Sequence, residues 1–157
     1  MNDMPADPVD RIMAVMERAF EPRYREAWNR RQVSDALILG NCHYGFITED
    51  GDDADAAVGD AAGFYLSRAI LDEEELLLFA ILPDFRRRGL GGRLLERMLA
   101  DAARRGMKRV FLEMRRGNPA GFLYEGHGFH PIGTRPGYYR TSDGERLDAI
   151  TQERILV

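Results

Sequence analysis

The sequence predicts an α/β fold in which one central sheet carries helices on both faces. Three observations lead there. Leu76, Leu77, Leu78, Phe79, Ala80, Ile81 and Leu82 form an unbroken apolar run, as in a strand covered on both sides. A glycine-rich turn follows it, and then Leu94, Leu95, Met98, Leu99 and Ala102 repeat at the spacing of one helical face. The chain as a whole runs helices, strands, then strand-helix-strand-helix-strand. At 157 residues and 45% apolar content, it fits a single domain over 1–157 with a core to bury.

From the start of the chain, Asp7 can cap a helix with Pro8 in its first position, and Val9, Ile12, Met13, Met16 and Phe20 make its apolar stripe. Asn29 offers a second cap, Val33, Leu37 and Ile38 a second stripe, and Gly40 a stop. Residues 43–48 and 63–70 mix aromatic and aliphatic side chains with polar ones, as strands do. Between them, 49–62 is dense in Asp, Ala and Gly with little to bury, predicting a solvated hairpin loop. A strand over 75–82 ends at Pro83, and the helix after the turn finishes near Gly106. The next strand covers 108–114, with Val110 and Leu112 on one side and Phe111 and Glu113 on the other. Asn118 and Pro119 begin a short helix reaching about Gly126. Strand signals return at 129–132, 138–140 and 147–156.

Composition narrows the chemistry. Cys42 is the only cysteine, so neither an intramolecular disulfide nor a cysteine-built zinc site can form. His43, His127 and His130 lack the spacing and acidic company of a metal site, and no metal is expected. A net charge of −4 provides no global field for nucleic acid. No apolar run reaches membrane-span length and the first ten residues do not read as a secretory leader, so a cytoplasmic protein is expected. Nothing in the sequence speaks to oligomeric state.

The sharpest local feature is RRRGLGGRLL, residues 86–95, between a buried strand and an amphipathic helix. Gly89, Gly91 and Gly92 let the backbone turn tightly and approach a ligand, while the new helix offers unpaired N–H groups and a positive dipole end. Such a turn suits a pyrophosphate, with Arg86, Arg87 and Arg88 as further donors; the glycines alone are equally compatible with a plain tight connection. A dinucleotide fingerprint needs glycine where Leu94 stands, and a Walker loop needs Gly-Lys-Ser/Thr. Neither is present.

These residues resemble a family. FAILPDFRRRGLGGRLL is similar to the acetyl-CoA-binding motif of the GNAT acetyltransferases, Arg/Gln-x-x-Gly-x-Gly/Ala, here Arg86-Arg87-Arg88-Gly89-Leu90-Gly91. FLEMRRGNPAGFLYEGHGF, residues 111–129, resembles the second signature, and Leu-Glu-x-Arg at 112–115 with PGYYRTSDGERLDAI at 136–150 resembles the RimI branch, which acetylates a ribosomal protein's N-terminus. The resemblance covers roughly residues 63–155. It implies a mixed, mostly antiparallel sheet of about six to seven strands with a splayed parallel pair at the CoA site; Pro5 and Pro8 leave little room for the first strand many members have. It implies acetyl-CoA as co-substrate, with Phe79, Ala80 and Ile81 pairing their backbone with its pantetheine arm. Arg87, Arg88, Gly89, Leu90, Gly91 and Gly92 then meet phosphates, and Asn118 lies near the reactive end.

For the chemistry, the resemblance implies Glu113 as general base, through a water, and Tyr124 as general acid; backbone N–H groups near Ile81 are natural oxyanion donors. One residue fewer separates Asn118 from Tyr124 than members of the branch usually carry, a rotation of about 100° on a helix. Glu21, Tyr24, Trp28, Tyr138 and Tyr139 are candidates to line the acceptor's entrance, and the tyrosine pair favours a protein N-terminus as acceptor. A small-molecule amine, or a non-catalytic acyl-CoA-binding module, are the alternatives.

Overall fold

The computed structural model describes residues 7–52 and 61–156. Helix α1 spans Pro8–Ala19; the Asp7 carboxylate accepts from Val9 N–H at 2.9 Å, a cap worth about 1 kcal/mol. Val9, Ile12, Met13 and Met16 are buried, joined by Val15 and Ala19. Pro22–Tyr24 is a 3-10 turn, and α2, Arg30–Ile38, starts with a reciprocal capping box between Asn29 and Gln32. The strands are β1 Cys42–Ile47, β2 Gly63–Ile70, β3 Glu73–Ile81, β4 Arg109–Arg115, β5 His130–Arg140 and β6 Arg146–Ile155. Helix α3, Leu90–Arg104, connects β3 to β4, and α4, Ala120–Gly126, connects β4 to β5.

The six strands form one sheet in the order β1-β2-β3-β4-β6-β5, antiparallel throughout except for the β3–β4 pair. One face packs on α1 and α2, burying Phe46, Phe64, Leu66, Leu78 and Leu82 against Ile12, Met16 and Val33. The other packs on α3 and α4, with Leu94, Leu95 and Met98 against Tyr65, Val110 and Leu112. Each such side chain contributes about 1.5–3 kcal/mol on burial. The mixed, mostly antiparallel sheet covered on both faces agrees with expectation. No helix among the described residues is long and apolar enough to cross a membrane.

Four expectations are corrected or curtailed. The strand signals at 129–132 and 138–140 belong to the single strand β5, which starts at His130, not to two strands. Pro136 cannot donate and Gly137 has φ +61, which read as a turn; the Asp148 carboxylate accepts from Gly137 N–H at 2.9 Å, so the strand passes through the irregularity and resumes at Tyr139↔Leu147. Ile38 is 79% exposed and is not part of the α2 stripe; Ala36 takes the buried place with Val33. Of the solvated loop expected over 49–62, residues 53–60 lie outside the described residues, and its end is not solvated, since Ala61 and Ala62 are buried. Residues 1–6, on which the leader and first-strand expectations bear, also lie outside.

Candidate active site

The site begins where two strands part. β3 and β4 pair from Glu73↔Arg109 to Leu76↔Leu112, yet β3 continues to Ile81 and β4 to Arg115. The closed end is held by Glu74, fully buried, whose two carboxylate oxygens accept from Arg105 at 2.7 and 2.8 Å, with the Ser67 hydroxyl donating at 2.7 Å. Where the opening starts, Leu77 is an extra residue on β3: Leu66 faces Leu78 and Ser67 faces Leu76 across β2. Two cavities flank the parted strands.

The larger, a cleft of about 730 Å³, runs from Phe79, Ala80 and Ile81 to the mouth of α3. Gly89 precedes α3 at φ +79, no side chain caps that helix, and Arg87 has φ +63. A Cβ at position 91 would stand 3.2 Å from Leu123 Cδ2, with Ile81 and Phe79 just beyond, so glycine there holds α3, α4 and β3 close around the cleft. Gly91, Gly92, Arg87 and Asn118 line it. The three arginines differ. Arg86 lines the cleft but donates to the Ile81 and Ala19 carbonyls, both at 2.9 Å, which ties the turn to α1. The Arg88 guanidinium lies 5.4 Å from the Phe85 ring centroid. The Leu90 side chain is buried in the core.

The smaller cavity, about 320 Å³, lies between Leu76–Leu78 of β3, Leu112–Met114 of β4, Trp28 and Tyr139. Glu113 reaches it because β4 alternates, sending Val110, Leu112 and Met114 toward α3 and α4. Its Oε2 meets Arg135 Nε of β5 at 3.3 Å. Burial first, then the charges of Glu113 and Glu26, push the Tyr139 hydroxyl up to about 12.

Tyr124, on α4, lines both cavities, packed edge-on against Phe79 and Phe129. It is buried, and burial followed by the Glu26 charge raises its pKa well above the ordinary tyrosine value. Asn118 also lines both, and its Oδ1 accepts from Ala120 N–H at 3.0 Å, so one side chain both starts α4 and faces the cavities. The shorter spacing from Asn118 therefore still brings Tyr124 to the parted strands.

Of the expected acceptor-side residues, Trp28 and Tyr139 line the smaller cavity, whereas Glu21 and Tyr24 line the larger cleft. Tyr138 is 54% exposed, meets Tyr139 edge-to-face and lies under Arg135. The sequence reading missed Glu26, which lines both cavities, and Arg115, whose Nε lies 3.1 Å from Glu26 Oε1 while its guanidinium covers the Tyr24 ring at 3.5 Å. It missed Arg135 as well. Among the described residues, no three His, Cys, Asp or Glu side chains gather where they could hold a metal.

Comparisons with known proteins agree with this geometry. Residues 41–131 match the acetyltransferase (GNAT) domain model. The chain is 42% identical over 93 residues to the [ribosomal protein bS18]-alanine N-acetyltransferase of Escherichia coli (strain K12), covering 59% of this chain and 62% of that one. It is 36% identical over 94 residues to the Haemophilus influenzae enzyme of the same name, covering 60% and 64%. The matched segment thus spans less than two thirds of either relative. In structure, it superposes on the crystal structure of the ribosomal-protein-S18-alanine N-acetyltransferase from Escherichia coli with a TM-score of 0.81, at 28% identity, over 99% of this chain and 92% of that one. With the strand opening, the glycine-turned helix mouth and a domain match over more than half its length, this chain belongs to the GNAT acetyltransferase family.

Proposed function

We propose that the protein is an acetyl-CoA-dependent N-acetyltransferase that acts on the α-amine of a protein N-terminus, by direct attack with both substrates bound. The observation that carries this reading is the opening after Leu76 and Leu112, with Glu113 on one side, Tyr124 across it, and a cavity on each flank. The larger cleft fits CoA on its own features. β3 leaves β4 just where Phe79, Ala80 and Ile81 line the cleft, freeing main-chain groups on that side for an amide-bearing arm. The uncapped start of α3 and the bare Gly91 leave room and N–H donors for a diphosphate. Arg87 adds charge there, while Arg86 serves the fold.

In this reading Glu113 takes the acceptor's proton through a water, backbone N–H groups near Ile81 meet the developing oxyanion, and Tyr124 supplies a proton to the departing thiolate. Magnitudes favour an α-amine. At pH 7.4 an amine of pKa near 7.8 loses its proton for about 0.5 kcal/mol, a lysine near 10.4 for roughly 4 kcal/mol. A single carboxylate base suits the first. Proton transfer from an ordinary tyrosine to a thiolate of cysteine-like pKa is uphill by about 2 kcal/mol, and the raised Tyr124 makes it more so until a positive charge arrives.

The test is a panel of N-terminal peptides, lysine-bearing N-blocked peptides, polyamines and amino acids incubated with acetyl-CoA and read by mass spectrometry. Acetylation at the α-nitrogen of peptides is expected. Modification confined to small amines would move the assignment to a small-molecule acetyltransferase; acetyl-CoA binding without transfer to any member would leave an acyl-CoA-binding module.

A further inference from the structure

Five side chains line both cavities: Phe20, Glu26, Phe79, Asn118 and Tyr124. They mark the passage where an acyl group must meet an amine, and Glu26 is the one charged member. Acyl transfer places negative charge on the acyl oxygen and then on the departing sulfur, and a fixed carboxylate beside that path opposes both. Glu26 is compatible with this chemistry when a cation meets it there. Arg115 is the resident cation: its Nε lies 3.1 Å from Glu26 Oε1, and stacking on Tyr24 fixes its plane. Only 12% of the Arg115 side chain and 21% of that of Glu26 are exposed, so the pair is held rather than swinging in solvent. Arg115 engages one carboxylate oxygen. The second cation is the acceptor, an ammonium below its ordinary pKa of about 7.8.

We propose that Glu26, held by Arg115, receives the acceptor's ammonium group where the two cavities join and presents it to Glu113. This rests on the acetyltransferase reading above and makes Glu26 its acceptor-positioning residue. The balance is complete. One proton passes from the ammonium nitrogen through a water to the Glu113 carboxylate, the nitrogen lone pair forms the N–C bond, the C–S bond breaks with its pair on sulfur, and the second proton of the acylated nitrogen leaves to solvent. Tyr124 gives its hydroxyl proton to that sulfur and regains one through solvent from Glu113. Both carboxylates face one space, since both line the smaller cavity and both act on Tyr139. The titratable and charged groups that share the cavities with Glu26 are Arg115 and Glu113 from β4, Tyr124 from α4, Tyr139 from β5, and Arg86 and Arg87 from the turn before α3, with Glu21, Tyr24 and Arg25 in its own segment. A seated ammonium offsets the field of Glu26 at Tyr124, so acceptor binding makes Tyr124 a better acid.

Glu26→Gln keeps the shape and removes the charge. With a peptide that the wild type acetylates, the variant should show an acceptor KM raised about tenfold or more, with the acetyl-CoA KM and CoA-induced thermal stabilisation unchanged. The wild-type acceptor KM should climb between pH 7 and 9 as the α-amine loses its charge, that of Glu26→Gln should stay flat, and Glu26→Asp should recover part of the affinity. An acceptor KM in Glu26→Gln equal to the wild type's, with the same pH dependence, overturns the proposal and leaves the acetyltransferase reading standing. Absence of transfer by the wild type to any amine overturns both. Should Glu26→Gln fail to fold, competition on the wild type decides: a peptide beginning with an α-amino acid should compete at least tenfold better than its α-hydroxy counterpart at pH 7, and equal competition overturns the proposal.

Discussion

The two cavities beside the parted strands are built from different materials. The larger joins arginine and aromatic side chains to a stretch of main chain and missing side chains: four glycines, an uncapped helix start and a strand edge released from its neighbour. The smaller is enclosed by apolar, charged and aromatic side chains gathered from the 20s segment, β3, β4, α4 and β5. A backbone grip suits a ligand that is always the same, whereas side chains can select among ligands that differ.

Substitutions can break that contrast. Glu113→Gln carries the largest expected effect, a loss of about 10²–10⁴ in transfer rate with CoA-induced thermal stabilisation intact; a parallel loss of CoA binding would show that the cavities are not separable. Gly91→Val should do the reverse at smaller scale. Its Cβ lies 3.2 Å from Leu123 Cδ2 and its branches enter the cleft, weakening CoA binding roughly 10–100-fold through about 1–3 kcal/mol of overpacking, as isothermal calorimetry would read, while far-UV circular dichroism remains that of the wild type. Arg23→Ala should raise the acceptor KM a few-fold. Arg23 pairs with Asp143 at 3.5 Å and with Glu145, and its carbonyl accepts from Ser142 N–H at 2.9 Å, joining the 20s segment to the β5–β6 turn. Because those pairs are exposed to solvent and screened, the urea unfolding midpoint should stay close to that of the wild type.

The mildest test is alkaline titration followed at 295 nm. Tyr139, raised to about 12, should keep its proton through pH 10 to 11, and Tyr139→Phe should remove a late-titrating tyrosine. In linkage terms the folded pKa lies above the unfolded value of about 10, so this group's contribution to stability is whole below pH 10 and is lost as pH rises toward 12. Titration of Tyr139 near 10 would mean that this side chain is open to water, and the smaller cavity less enclosed than its lining indicates.

What could be read from the sequence divides along the same line. The strand, turn and helix beside the larger cleft were legible because they are contiguous: a buried strand, a glycine turn and a helix stripe adjoin within residues 75–102. Helix caps at Asp7 and Asn29 were legible for the same local reason. Glu26 and Arg115 meet across 89 positions, and Arg23 and Glu145 across 122; no window of the sequence holds both partners. A hint existed, since Arg115 lies two residues from Glu113 and so on the same face of a strand, where a half-buried cation needs a counter-charge. Continuous β5 was hidden by Pro136 and Gly137, because the carboxylate that rescues Gly137 N–H sits on the neighbouring strand.

Leu77 has one further consequence. Before it, Leu76 points to the α3 side; after it, Leu78, Ala80 and Leu82 point to the α1 side, while Phe79 and Ile81 take over the α3 side. The single inserted position is a phase slip in a repeat of two, written in a stretch of leucines that shows no alternation to betray it. Deleting Leu77 would leave composition and hydropathy almost untouched, and Leu76 and Leu78 would alternate as neighbours opposite Ser67 and Leu66 with every side chain on its present face; what would go is the local bend and twist of β3 at the point where it leaves β4. At this strand the number of residues, more than their kind, sets the bend at which the two strands part.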